Sequence, residues 1–312
     1  VKIDWSAVQA FLCFLAGELP VEELLRHPAY AAVCKHCRLA YGARLSPGDV
    51  EAAAAGRKSP FFGLRRLRDN LPLIRDFVSR GGSLEDGWLR DARSSLAAYA
   101  SPADLDGVTI YPIVGYDAGI GLDGCACLNV NYPAYLEQPR EFGYMLIHES
   151  SHVIYGRTRP MPDIAAARDS QGWADLFSRM TQDEGFAVYA PLALRRARGH
   201  MGDRSSPVLA DYVVIADPVE MEACLSGFRE TAAALAGPGQ HTRHEYMEMI
   251  FGPGRLTYRA GCEIVRRAAR SGGAQAVASL FRLPAEQFLA VAGHLVGIRR
   301  FGNPATSGGL TI

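Results

Sequence analysis

The sequence predicts an α+β protein, mostly α-helical, with a small β-sheet beside a helix that carries an HExxH motif and a helical lobe ahead of both. Three observations predict this class. Apolar residues recur at helical spacing through residues 1–105, the chain turns β-branched and glycine-rich between Gly107 and Asn131, and helical spacing returns from about Glu141 onward. The expected division is a helical N-terminal lobe, 1–105, and a domain bearing the motif, 106–312.

In the first lobe Val8, Phe11, Leu12 and Leu15 form one stripe, Val21, Leu24 and Leu25 a second, and Leu64, Leu67, Leu71, Ile74 and Phe77 a third. Pro20, Ser46-Pro47-Gly48, Ser59-Pro60 and Gly81-Gly82 are expected to punctuate these helices. Val108 to Val114 and Cys125 to Asn131 read as two neighbouring strands. Between them Gly119-Ile120-Gly121-Leu122-Asp123-Gly124 spells GxGxxG. A dinucleotide fingerprint must open a helix, whereas this segment leads into a strand, so a flexible hairpin connection is expected. In the second strand Cys125, Cys127, Asn129 and Asn131 alternate with Ala126, Leu128 and Val130, which predicts one polar face and one apolar face turned to the core. A helix should follow from about Glu141 to Tyr155, entered after Pro139. Another should run from about Gly172 to Arg198, bent or shortened by Gly185 and Pro191, and from Pro207 on the chain is again mostly helical.

Of the 312 residues 48% are hydrophobic and 21% charged, which is enough apolar surface for a core and excludes a disordered, collagen-like or small disulfide-stapled chain. The 33 basic and 33 acidic side chains cancel, so neither nucleic acid nor a membrane is expected as a partner. Arg65, Arg66, Arg68, Arg75 and Arg80 make one helical region basic, but Asp69 and Asp76 interrupt it and stacking aromatics are few. Seven scattered cysteines, an odd number, read as reduced thiols and a cytoplasmic location. The early apolar run Ala7 to Gly17 is too short to span a bilayer. Cys34-Lys35-His36-Cys37 has metal-like spacing without a second pair of ligands, and His241-Thr242-Arg243-His244-Glu245 has neither the order of HExxH nor of its inverse.

The informative segment is His148-Glu149-Ser150-Ser151-His152 within the apolar run Met145 to Tyr155. Helix positions four apart lie about 6 Å apart along one face, so two imidazoles can bind one metal ion. Glu149 is one residue on from the first ligand, where its carboxylate can reach water at the metal without closing the coordination sphere. A zinc site of this kind needs a third protein ligand. Glu184 is the best candidate, because it lies on the next long helical segment and small residues after it permit close helix packing. Asp183 is its rival, turned about 100° away around the helix.

His148-Glu149-Ser150-Ser151-His152, followed by Asp183-Glu184-Gly185-Phe186-Ala187-Val188-Tyr189, resembles the gluzincin group of zinc peptidases, which includes thermolysin and the aminopeptidase N type. The resemblance implies a gluzincin-like zinc-dependent catalytic domain in which His148, His152 and Glu184 bind one Zn2+ per chain and Glu149 is the base. Between His152 and Glu184 lie 31 residues, a longer interval than in those two archetypes, and the aminopeptidase motif Gly-x-Met-Glu-Asn is absent, so aminopeptidase specificity does not carry over. Uncharacterised bacterial zinc proteases with an HExxH helix, a Glu-Gly-x-Ala segment and a later Tyr-x-x-Gly are the nearer likeness, through Tyr258-Arg259-Ala260-Gly261. By that position Tyr258 would assist at the oxyanion, with Arg259, His244 and Tyr246 as weaker candidates. In gluzincins a strand upstream of the helix pairs with extended substrate, which would give Asn129, Asn131 and Arg259 a place in substrate binding. The implied activity is hydrolysis of a peptide or amide. Two alternatives share the residues: a non-haem iron oxygenase using the same set of two histidines and one glutamate, and a peptide-binding module that keeps a structural metal.

Overall fold

The computed structural model describes residues 1–57, 67–164, 167, 169–237, 239, 241–298 and 301. Leu64, the Ser59-Pro60 turn, Arg65 and Arg66 lie outside the described residues. The described chain is mostly helical with one four-stranded sheet, as its sequence predicts. It falls into two compact units, divided otherwise than at residue 105: residues 1–94 with 101–165, and residues 95–100 with 166–312.

The first unit contains β1 (Lys2–Ile3), α1 (Ser6–Leu15), α2 (Val21–Arg26), α3 (Pro28–Tyr41), α4 (Pro47–Ala54), nearly all of α5 (Leu67–Leu96), and α6 (Pro102–Asp106). It continues through β2 (Thr109–Ile113), β3 (Gly119–Leu122), β4 (Cys125–Asn129), α7 (Pro133–Glu137) and α8 (Pro139–Gly156). Helix starts follow their sequence signals: Ser46 with Asp49 and Ser101 with Asp104 close capping boxes, each with proline in the first turn. The strand order is β1-β2-β4-β3. The first three pair in parallel, and β3 returns antiparallel to β4. The two expected strands are therefore neighbours, and the GxGxxG segment makes the expected hairpin, with Gly119–Leu122 as its first strand and Asp123-Gly124 as its turn.

Gly81-Gly82 does not break its helix and lies inside α5. A Cβ at Gly81 would run into the Trp5 ring, so the glycine is where that indole packs. Trp5 stacks on Phe142 of α8, and Phe77 and Trp88 of α5 close on the same ring at 5.2 and 4.9 Å between centroids. This aromatic cluster, together with pairing of β1 to β2, is why the N-terminal helices and the HExxH helix form one unit.

The second unit contains α9 (Ser170–Tyr189), α10 (Leu192–Ala197), α11 (Pro207–Ala216), α12 (Pro218–Ala236), α13 (Arg243–Phe251), α14 (Leu256–Arg282) and α15 (Phe288–Ala292). The helix expected over 172–198 is interrupted at Ala190-Pro191, since proline resists an internal position. Gly185 does not bend α9. A Cβ there would lie 2.5 Å from the Gly261 carbonyl carbon, and one at Gly261 would collide with the Thr181 carbonyl oxygen, so the two glycines let α9 and α14 touch backbone to backbone. Tyr99 packs on Phe186 and Phe281, which ties residues 95–100 to this unit. Among the described residues no helix is long and apolar enough to cross a membrane.

Candidate metal centre

Every residue of α8 from Glu141 to Tyr155 except His152 is buried, and His152 is half-buried. The HExxH motif thus sits on an almost wholly enclosed helix, with His152 its one half-buried side chain over that span. The Nε2 atoms of His148 and His152 lie 3.2 Å apart, their rings inclined at 74°. Two nitrogens on one zinc at 2.0–2.1 Å and the tetrahedral angle would be about 3.3–3.4 Å apart. Ligand atoms of His148, Glu149 and His152 all fall within 4.8 Å of one another, the one group of this kind among the described residues. These side chains can hold a metal ion, and the imidazole pair with a nearby carboxylate suits a divalent transition metal.

The sheet reaches this motif through β3. Gly119 and Gly121 are two apart and share a face, and that face lies on α8. A Cβ at Gly119 would stand 2.6 Å from Glu149 Oε1; one at Gly121 would stand 2.6 Å from the His152 Cβ and 2.7 Å from the Glu149 carbonyl oxygen. The two glycines that spelled a false nucleotide signature are what allow a strand to lie flat against both residues. Because the obstacle at Gly121 is helix backbone, Gly121→Ala is expected to lower stability by about 1–3 kcal/mol, read from the urea midpoint.

Asn129 and Asn131, expected at the substrate, lie inside the fold. Both are 3% exposed. The Asn129 Oδ1 accepts from the backbone N–H groups of Gly115 and Asn131, at 2.8 and 3.0 Å, and Asn131 Oδ1 accepts from Asn70 Nδ2 at 2.8 Å. At Asn129 and Asn131 the polar alternation therefore marks internal hydrogen bonding. With β2 on one side and β3 on the other, β4 also has no edge to offer an extended ligand; the sheet edge beside the motif is β3.

Glu184 belongs to the second unit, 8% exposed on α9. The Gly185–Gly261 crossing sets it beside Tyr258, with which it is hydrogen-bonded. Burial, and then the Glu184 charge, push the Tyr258 hydroxyl well above the ordinary phenol range. The Arg255 guanidinium lies 3.6 Å over the Tyr258 ring. Arg255 and Arg259 each donate from Nε to one oxygen of Asp211 at 2.8 Å, and Asp211 is 1% exposed. Arg259 is thus engaged in an internal ion pair through its Nε. Asp183 is half-buried beside Glu184. Tyr246 stacks on Trp173 with its hydroxyl against Ser170, and His244 is exposed in the first turn of α13, which Thr242 and Glu245 cap. Sequence reasoning misses Asp211 and Arg255; the charge of Asp211 within the apolar run Val208 to Ile215 could flag it, while Arg255, just after the Gly252-Pro253-Gly254 turn, carries no such signal.

Compared with family models, curated proteins and solved structures, the chain finds no match in any of the three.

Proposed function

We propose that the protein is a zinc-dependent metallohydrolase that cleaves a peptide or amide bond, with His148 and His152 as metal ligands and Glu149 as general base. The observation that carries this reading is the approach of the two Nε2 atoms to 3.2 Å with the Glu149 carboxylate close by. Glu184 as third ligand rests on the Asp183–Tyr189 segment and its gluzincin likeness. Zinc, when bound, supplies a Lewis acid that polarises a carbonyl and acidifies water. Glu149 takes the proton of the attacking water on its carboxylate and delivers it to the leaving amine. Tyr258 as oxyanion donor rests on the Tyr258–Gly261 segment and its likeness to the Tyr-x-x-Gly of the bacterial zinc proteases. Glu149 rather than a neutral residue directly after the first histidine favours hydrolysis over oxygenation, which needs no base at that position.

Metal content decides between the readings. Protein purified without a metal-binding tag is expected to carry about one zinc per chain, lost in the His148→Ala, His152→Ala double variant. Iron at that site would favour the oxygenase, and no histidine-dependent metal would overturn both. Gly119→Ala offers a finer test, since the three atoms nearest the new methyl all belong to the Glu149 side chain. It is expected to keep the zinc and lower cleavage of a peptide library by about tenfold or more, through displacement of the base by an ångström or less.

A further inference from the structure

The face of the sheet opposite α8 carries a second chemistry. Cys125 and Cys127 are two residues apart on β4 and share that face, while Ala126 and Leu128, register partners of Gly121 and Gly119, share the α8 face. Cys127 is buried against α3, its sulfur 3.5 Å from the Ala29 carbonyl oxygen. Cys125 is half-buried, its sulfur 3.3 Å from the Leu122 carbonyl oxygen. It lines a cavity of about 370 Å³ together with Ala31, Ala32 and Lys35 of α3 and Thr109 and Tyr111 of β2. Lys35 and Asp123 form an ion pair among those walls, so the cavity is polar at one side and admits small polar solutes.

Each thiol points to a backbone carbonyl oxygen of its own, and their environments differ. The neighbouring Cys127 sulfur holds the Cys125 thiol below the usual range, whereas the Cys125 sulfur, and then burial, push Cys127 well above it. On α3, by contrast, burial pushes both Cys34 and Cys37 up. An accessible thiol with a protonated thiol beside it on the same face is the arrangement of an attacking and a resolving cysteine.

We propose that Cys125 and Cys127 are a modification site at which a small hydroperoxide, entering through this cavity, converts the thiol pair to a disulfide. The Cys125 thiolate attacks one peroxide oxygen; an S–O bond forms, the O–O bond breaks, and the departing oxygen leaves as water after protonation. The Cys127 sulfur then attacks the sulfenic sulfur of Cys125; the S–S bond forms, the S–O bond breaks, and a second water leaves with the Cys127 proton. Two thiols give up two electrons and two protons, and one hydrogen peroxide becomes two waters. Two residues of extended strand span about 6.8 Å, at the outer limit of Cα separations in disulfides, so β4 must shorten to close the bond and the product is readily reduced again. The shortening falls on the segment paired with Ile120 and Leu122 of β3, the strand that lies on Glu149 and His152.

The test uses the full chain and hydrogen peroxide at a small molar excess, followed by alkylation and peptide mapping. Before oxidation, iodoacetamide is expected to label Cys125 about tenfold faster than Cys34. After it, the peptide containing both residues should lose two hydrogens and recover them with dithiothreitol. In Cys127→Ser the reaction should stop at Cys125 sulfenic acid, captured by dimedone. Equal labelling of Cys125 before and after peroxide, or oxidation of Cys13 or Cys34 ahead of it, would overturn the proposal. None of these readouts depends on the metal or on hydrolysis.

Discussion

Glu149→Gln is expected to retain about one zinc per chain and to lower hydrolysis by about 10²–10⁴-fold, the range for loss of a positioned acid–base group. Gln preserves the shape of the side chain, and shape matters here because Glu149 is 4% exposed and packs on Gly119, where a Cβ would stand 2.6 Å from its Oε1. What Gln removes is the ability to take up a proton. Neither histidine is altered, so the 3.2 Å approach of the two Nε2 atoms, and with it metal binding, should survive. Zinc analysis and single-turnover cleavage of a peptide library on the same preparation separate the outcomes. Unchanged turnover rejects Glu149 as the base. Loss of zinc with loss of turnover would instead make the carboxylate a ligand. A third outcome, zinc kept and cleavage lost in both Glu149→Gln and Gly119→Ala, would show that the position of the carboxylate matters as well as its charge.

What could be read from the sequence was local. The i, i+4 histidines and their intervening glutamate need only one helix, and α8 supplies it over the span the spacing predicts. The small residues after Glu184 do permit a close helix contact, and the partner proves to be Gly261 of the Tyr-x-x-Gly segment. Features that depend on distant partners were not legible. Gly119 and Gly121 look like loop residues until α8, far along the chain, is laid across them. Gly81-Gly82 looks like a helix stop until Trp5 occupies the space. The two residues of β1 are too few for any periodicity, yet their pairing with β2 and the cluster around Phe142 place the N-terminal helices and the motif in one unit. Asn129 and Asn131 show the same limit, since alternation cannot tell water from buried backbone donors as the partner of a polar side chain.

The largest effect on stability is expected at Asp211. Its carboxylate accepts from both Arg255 and Arg259 at 2.8 Å while itself 1% exposed, and the two arginine side chains are only 16% and 14% exposed. Asp211→Ala leaves two enclosed guanidinium groups without their counter-charge, and breaking a buried pair in this way costs about 3–5 kcal/mol. Against a total stability of about 5–15 kcal/mol for a folded domain, that brings the second unit near its threshold. Asp211→Asn keeps the volume and one acceptor oxygen, so part of the loss should return. The decisive comparison is Asp211→Ala combined with Arg255→Met and Arg259→Met. If desolvated charge is the cause, removing all three groups should restore most of the urea midpoint, because apolar replacement of a buried ion cluster is close to neutral. If packing is the cause, the triple variant should be worse than the single one. A single Asp211→Ala cost below about 1 kcal/mol, the range of an exposed pair, would refute the assignment outright. The triple variant also removes the guanidinium that lies 3.6 Å over Tyr258, the ring hydrogen-bonded to Glu184. Zinc affinity measured on that restored fold then tests the proposal that Glu184 is a ligand, separately from whether the stack holds the unit together.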